Sequence, residues 1–147
     1  MDYISTRGQS PAVDSAQAVL SGLAPDGGLY MPRAIPAFDW QHCLTLSAQQ
    51  MSAAILSALL PDIPNMEALV KRAYTGKFET EDLTPTVPVG DFQVLELFRG
   101  PTSAFKDVAL SMLPQLLTAA KQEKGIAQEI RILTATSGDT GKAALVG

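Results

Sequence analysis

Two apolar runs each lead through a glycine-containing loop into a helical pattern, and this repeat restricts the fold more than any other feature of the chain. The first run, residues 92–98, precedes a helical pattern over residues 104–123. The second run, residues 129–136, precedes a tight turn at residues 137–141 and a further helix from Lys142. The order β-α-β-α predicts an α/β fold with parallel strands joined by a right-handed crossover.

The first 80 residues contain local signals for three helices. Asp14 is suited to cap a helix over residues 15–21. Ser47 and Gln50 have the spacing of a capping box, which predicts a helix from residue 48 to about residue 60. A third helix is expected over residues 66–74, and short extended pieces over residues 3–6 and 29–31.

The segment Thr84–Gly90 is the best candidate for a domain boundary, because its two prolines and its glycine forbid helix. We therefore expect a small N-terminal α/β domain over residues 1–80, and the first part of a parallel-sheet, three-layer domain over residues 81–147. Two strands cannot make a doubly covered parallel sheet. The sequence is thus interpreted as a piece of a larger protein, with a complete small α/β domain as the alternative. An exposed sheet edge favours association, so a homo-oligomer is among the expected partners.

Composition and charge exclude several functions. The net charge is -4, with 11 Lys and Arg against 15 Asp and Glu, and there is no long basic run, so a nucleic-acid partner is not expected. The one cysteine, Cys43, cannot form an internal disulfide, which fits a reducing compartment, and the one histidine, His42, leaves no histidine cluster for a metal. No apolar run approaches the ~20 residues that span a bilayer. Without a signal-peptide pattern, a cytoplasmic protein is expected.

Lys106 is the residue most directly linked to chemistry. It belongs to the sequence GPTSAFKD at residues 100–107, between the first apolar run and the long helical pattern. The positive end of a helix dipole disfavours a cation, so a lysine placed there favours the neutral amine that attacks carbonyl groups. Arg99 and Lys142 are cations that would add to this effect, whereas Asp107 would oppose it or anchor the loop instead. A solvated lysine on a helix surface is the alternative.

The second loop, TSGDTGK at residues 136–142, has the chemistry of an anion cradle. Its glycines allow the backbone to approach a ligand closely, and backbone amides at a helix start favour a carboxylate or a phosphate. A Walker A motif is excluded, because Thr136 occupies the position of its first glycine and Ala143 the position of its hydroxyl residue. A plain strand-to-helix turn capped by Ser137 or Asp139 is the other interpretation.

Taken together, the motifs resemble the threonine synthase family. The similarity rests on GPTSAFKD at residues 100–107, on TSGDTG at residues 136–141, and on YISTRG at residues 3–8 with GLAPDGGLYMP at residues 22–32. It extends over essentially the whole chain. That family belongs to the tryptophan-synthase-β-like, fold type II enzymes, which use pyridoxal 5'-phosphate.

The resemblance implies that Lys106 is catalytic, forms a Schiff base with pyridoxal 5'-phosphate and then moves protons. It implies a lyase that converts O-phospho-L-homoserine and water to L-threonine and phosphate, with the cofactor ring as the electron sink. Phe105 is expected to line the cofactor pocket and Asp139 to lie near the cofactor's phenolic oxygen. The substrate's carboxylate or phosphate is expected to be bound by the second loop, through Thr136, Ser137, Gly138, Thr140 and Gly141.

Some positions depart from the family pattern. Arg99 stands where many members have histidine, Asp139 where related enzymes have asparagine, and Ser111 where glutamine is frequent. The glycine-rich loop that holds the cofactor phosphate in the family is not in the sequence, so the 147 residues alone are expected to be inactive. A sister enzyme, such as a threonine dehydratase or a phosphohomoserine lyase, is one alternative. A non-catalytic homologue that acts as a binding module is another.

Overall fold

The structure, a computed structural model, describes residues 1–147 and contains six helices and four strands. In chain order they are β1 (Tyr3–Ser5), α1 (Ser15–Ser21), β2 (Tyr30–Pro32), α2 (Trp40–Cys43), α3 (Ala48–Leu59), α4 (Met66–Tyr74), β3 (Thr86–Val89), β4 (Phe92–Leu95), α5 (Asp107–Glu123) and α6 (Asp139–Val146). No helix combines the length and the apolar character that crossing a membrane requires.

Helices α1 and α3 begin where their capping chemistry predicts, and α4 covers its predicted residues without a side-chain cap. The side chain of Asp14 accepts a hydrogen bond from the backbone amide of Gln17 at 2.8 Å, at the start of α1. Ser47 and Gln50 exchange the two hydrogen bonds of a capping box at the start of α3, with lengths of 3.3 and 3.0 Å. These bonds satisfy amide groups that have no partner within the helix. The three predicted helices are therefore confirmed.

Both sheets are two-stranded and antiparallel. In the first, β1 pairs with β2, and Tyr3 lies opposite Pro32. In the second, β3 and β4 form a hairpin in which Thr86 lies opposite Leu95. Gly90 lies in the connecting turn with a φ of +59°, a left-handed conformation that suits glycine. The predicted mixture of helices and strands is confirmed.

The two predicted parallel strands do not form a sheet within residues 1–147. The strand β4 ends at Leu95 and pairs with β3, while residues 129–136 form no strand. In that segment Ile132 and Leu133 are 52% and 94% exposed. Strand-forming residues need a neighbouring strand and a surface to pack on, and this segment has neither in the structure. The Thr84–Gly90 segment supplies β3, because an edge strand tolerates proline.

The hydrophobic core lies between the helices. The buried side of α4 is formed by residues spaced three or four positions apart, and this face packs against α3 and α5. Helices α1 and α6 also pack against α5. Helix α5 is therefore the element that joins the N-terminal helices to the C-terminal loop. The core contributions of α4 are Met66, Leu69, Val70, Ala73 and Tyr74.

Candidate active site

The two loops singled out in the sequence meet at the starts of α5 and α6. The Lys106 side-chain nitrogen donates a hydrogen bond to the Thr140 hydroxyl oxygen, across 34 positions of sequence. In the other direction, Lys142 Nζ donates to the backbone oxygen of Thr102 at 2.9 Å. Each loop thus holds a lysine of the other, and the packing of α6 on α5 fixes their separation.

Lys106 is the N-cap residue of α5, which begins at Asp107 and not at residue 104 as predicted. The Lys106 side chain is half-buried, and its nitrogen lies 5.5 Å from the centre of the Phe105 ring. Phe105 itself is 60% exposed. Phe105, Lys106 and the apolar side chains of α5 line a cavity of about 450 Å³. The amine therefore lies between an apolar surface and the polar turn that contains Thr140.

The Asp107 carboxylate closes the first loop. Only 2% of Asp107 is exposed, and it accepts hydrogen bonds from the Thr102 backbone amide at 2.8 Å and from the Thr102 hydroxyl at 2.5 Å. A buried carboxylate is costly unless such bonds compensate it. The anchoring role considered for Asp107 in the sequence is the one observed. Its partner Thr102 was missed, because no local pattern marks a side chain that bonds five residues ahead.

Gly100 makes this closure sterically feasible. A Cβ atom on Gly100 would lie 2.5 Å from both Cβ and Oδ2 of Asp107. Any side chain at this position would therefore displace the carboxylate that holds the loop. The glycine of the GPTSAFKD motif is explained by close packing and not by an unusual φ angle.

The second loop folds around the hydroxyl of Thr136. This oxygen accepts hydrogen bonds from the backbone amides of Gly138 at 3.2 Å and Gly141 at 3.0 Å. A Cβ on Gly141 would lie 2.9 Å from the same oxygen. The hydrogen bonds of the Thr136 hydroxyl therefore lie within the turn, whereas the Thr140 hydroxyl bonds Lys106.

Helix α6 presents free amides at its start. Its N-cap is Gly138, without a side-chain cap, so the capping by Ser137 or Asp139 in the alternative interpretation does not occur. Ser137 and Asp139 are exposed, and the backbone amides of Asp139 and Thr140 donate to no group of the protein. Unpaired amides at the positive end of a helix dipole are suited to hold an anion.

Arg99 precedes the first loop and is held by two carboxylates. It bonds Glu96 through Nε and a terminal nitrogen at 2.8 and 2.6 Å, and Glu79 through the other terminal nitrogen at 2.8 Å. These bonds, chiefly the one to Glu79, raise the pKa of Arg99 above its usual range. The guanidinium is thus committed to Glu79 and Glu96 and stays charged.

The N-terminal motifs have a structural role. Asp26 accepts hydrogen bonds from the Ser5 hydroxyl at 2.6 Å and from the backbone amides of Gln9 and Gly28, each at 2.9 Å. These bonds, with Ser5 contributing most, lower the pKa of Asp26 to about 2. They join β1 to the turn before β2. The motifs at residues 3–8 and 22–32 therefore bind each other, in a different part of the fold from Lys106.

A lysine at the start of one helix, facing unpaired amides at the start of another, is suited to a ligand that carries a carbonyl group and an acidic group. Comparison with known proteins identifies the family of the chain. Residues 2–74 match the family described as "Threonine synthase N terminus". The chain is 40% identical to threonine synthase from Methylobacillus glycogenes over 98% of its own length and 33% of that protein.

Solved structures show the same relationship. The chain superposes on PLP-bound threonine synthase from Brucella melitensis with a TM-score of 0.88 and 39% identity, over 99% of this chain and 32% of that one. For yeast threonine synthase the TM-score is 0.82 and the identity 36%, over 99% and 32% of the two chains. The chain belongs to the threonine synthase family and corresponds to its N-terminal portion. It spans about a third of the length of the curated relatives it matches.

Proposed function

We propose that this chain supplies the reactive lysine and the acidic-ligand loop of a threonine synthase. In that enzyme O-phospho-L-homoserine and water give L-threonine and phosphate, by a lyase reaction on a phosphate ester that uses pyridoxal 5'-phosphate. The observation that carries the proposal is the contact between Lys106 and Thr140, because it joins an amine to a turn with free amides. Relatives named threonine synthase and the PLP-bound structure from Brucella melitensis support it.

The residues present fit the cofactor. A half-buried primary amine beside an apolar cavity suits an aromatic aldehyde, and Phe105 and Lys106 both line that cavity. When bound, pyridoxal phosphate supplies an electron sink for the carbanions of the reaction. Lys106 would hold the cofactor and carry protons at Nζ. Asp139 would lie near the cofactor's phenolic oxygen.

The second loop would orient the amine and bind the substrate's acidic group. Thr140 accepts a hydrogen bond from Lys106, so its own hydroxyl proton is directed to another acceptor, which we assign to the substrate. The amides of Asp139 and Thr140 would donate to a carboxylate or phosphate at the start of α6. Ser137, Gly138 and Gly141 would complete the cradle. Thr136 would contribute by holding the turn in shape.

The proposal includes the organisation of the protein. Residues 1–80 would form the N-terminal domain, and residues 81–147 the first part of the catalytic domain. The proposal allows a homo-oligomer, and a cytoplasmic location agrees with the single, buried cysteine Cys43. No turnover is expected from the 147 residues alone, since they span about a third of the length of the relatives named threonine synthase.

Borohydride reduction in the presence of pyridoxal phosphate tests the proposal. In the full-length protein encoded by the gene, mass spectrometry is expected to find the cofactor fixed to Lys106. Lys106→Ala should abolish this label and lower turnover of O-phosphohomoserine by at least ~10²-fold. Lys121→Ala, on the same helix, is the matched control and should behave as the unmodified protein.

Three outcomes would contradict the proposal. A label on another lysine, with turnover kept in Lys106→Ala, would remove Lys106 from the chemistry. Turnover of threonine but not of O-phosphohomoserine would assign a dehydratase instead. Labelling without turnover of either compound would favour a binding module.

A further inference from the structure

We propose that Arg99 is a positioning residue, which holds the Gly100–Asp107 turn and therefore Lys106 in place by clamping it to two carboxylates. This inference rests on the proposed function of Lys106 and adds a residue to it. Arg99 would not touch substrate or cofactor. It would act through the turn.

The clamp joins two segments of the chain, the one after β4 and the one after α4. Glu96 lies just after β4 and Glu79 lies after α4, and the Arg99 guanidinium bonds both at 2.6–2.8 Å. The backbone adds a fourth bond, from the Glu79 amide to the Arg99 carbonyl at 2.9 Å. Arg99 is therefore tied to the segment after α4 through both its side chain and its backbone.

The turn transmits this position to Lys106 because it is closed on itself. Gly100 is buried against the Asp107 side chain, and its carbonyl accepts a hydrogen bond from the Ser103 amide at 3.1 Å. Asp107 in turn bonds Thr102 twice. The far end of the turn is fixed by α5, which packs in the core. The near end is Arg99, so movement there shifts a rigid loop that carries the lysine.

The geometry requires a guanidinium. Glu96 receives two hydrogen bonds and Glu79 a third, on different sides of one planar group. A lysine at position 99 would keep the charge but would offer a single nitrogen on a flexible stem. Arg99→Lys is therefore expected to retain part of the positioning effect on Lys106, and Arg99→Gln none. Positioning predicts this ranking of the two variants, and a loss of stability alone does not.

The effect of Arg99 on Lys106 is measured in the full-length protein. The readout is the rate at which pyridoxal phosphate attaches to Lys106, with the product trapped by borohydride. Arg99→Gln is expected to lower the rate at saturating cofactor by on the order of tenfold to a hundredfold, with half-saturation unchanged. Glu79→Gln and Glu96→Gln should each give a smaller loss, and each should have no further effect in the Arg99→Gln background. Arg72→Gln is the control, because Arg72 makes one exposed hydrogen bond to Gln115 elsewhere.

Amide hydrogen exchange of the cofactor-free protein tests the clamp independently of cofactor chemistry. Exchange at Ser103 and Asp107, whose amides bond within the turn, should accelerate in Arg99→Gln and not in Arg72→Gln. Unchanged exchange at these amides would overturn the inference even if no cofactor attaches. Normal attachment rates in Arg99→Gln would overturn it while leaving the proposed function intact. A higher cofactor concentration at half-saturation, with the maximal rate unchanged, would assign Arg99 to cofactor binding. That result would also overturn the inference.

Discussion

Gly100→Ala tests the closed geometry of the lysine loop most directly. Gly100 does not have a positive φ, so alanine is compatible with its backbone. Such a replacement normally stabilises a protein by about 0.4–1 kcal/mol, because the unfolded chain loses freedom. Here the new Cβ would lie 2.5 Å from Cβ and Oδ2 of Asp107 and 2.9 Å from its Cγ. The two effects have opposite signs.

The steric effect should dominate. If the Asp107 side chain moves away, it loses two hydrogen bonds to a charged acceptor, each worth about 1.5–3 kcal/mol. If the loop backbone moves instead, overpacking costs about 1–3 kcal/mol. The chain will adopt the less costly arrangement. Subtracting the stabilising effect of about 0.4–1 kcal/mol from this cost, we expect Gly100→Ala to lower the free energy of unfolding by roughly 1–2 kcal/mol.

Equilibrium unfolding in urea measures this difference, provided that the slope with denaturant is the same in both proteins. Gly141→Ala is the matched comparison. Its Cβ would meet only one atom below 3.0 Å, the hydroxyl oxygen of Thr136, so its cost should be smaller. A Gly100→Ala protein as stable as the unmodified one, or more stable, would refute the close contact between Gly100 and Asp107.

Two further predictions concern the N-terminal part. The folded-state pKa of Asp26, about 2, lies below the ordinary aspartate value, so its contribution to stability is present above about pH 4 and is lost as the pH falls towards about 2. Unfolding followed across that range should show a smaller loss in Asp26→Asn; equal losses would contradict the assigned bonds. Leu69→Ala, at a residue 3% exposed, should cost about 2–5 kcal/mol in thermal or urea unfolding, whereas Leu44→Ala, at a residue 71% exposed, should change stability by less than about 0.5 kcal/mol.

The N-terminal helices could be predicted because their signals are local. Asp14, Ser47 and Gln50 each bond an amide three positions away, so the pattern that predicts a helix is also the contact that starts it. The pairing of strands has no such signal. Residues 92–95 are extended as predicted, but their partner is the proline-containing segment 86–89, across a short turn. Propensity identifies an extended segment and does not choose its neighbour.

The structure brings Lys106 and Thr140 together although no parallel sheet precedes their loops. Each loop opens a helix, and α6 packs on α5, so the two helix starts can meet whether or not a sheet lies beneath them. The bond from Lys142 to the Thr102 carbonyl adds a second link. Sequence reasoning missed this link and the Thr102–Asp107 bonds, because both depend on how the loops fold in space. In the proposed site the position of Lys106 depends on helix starts and loop closure, so we expect substitutions at Gly100 and Arg99 to affect Lys106.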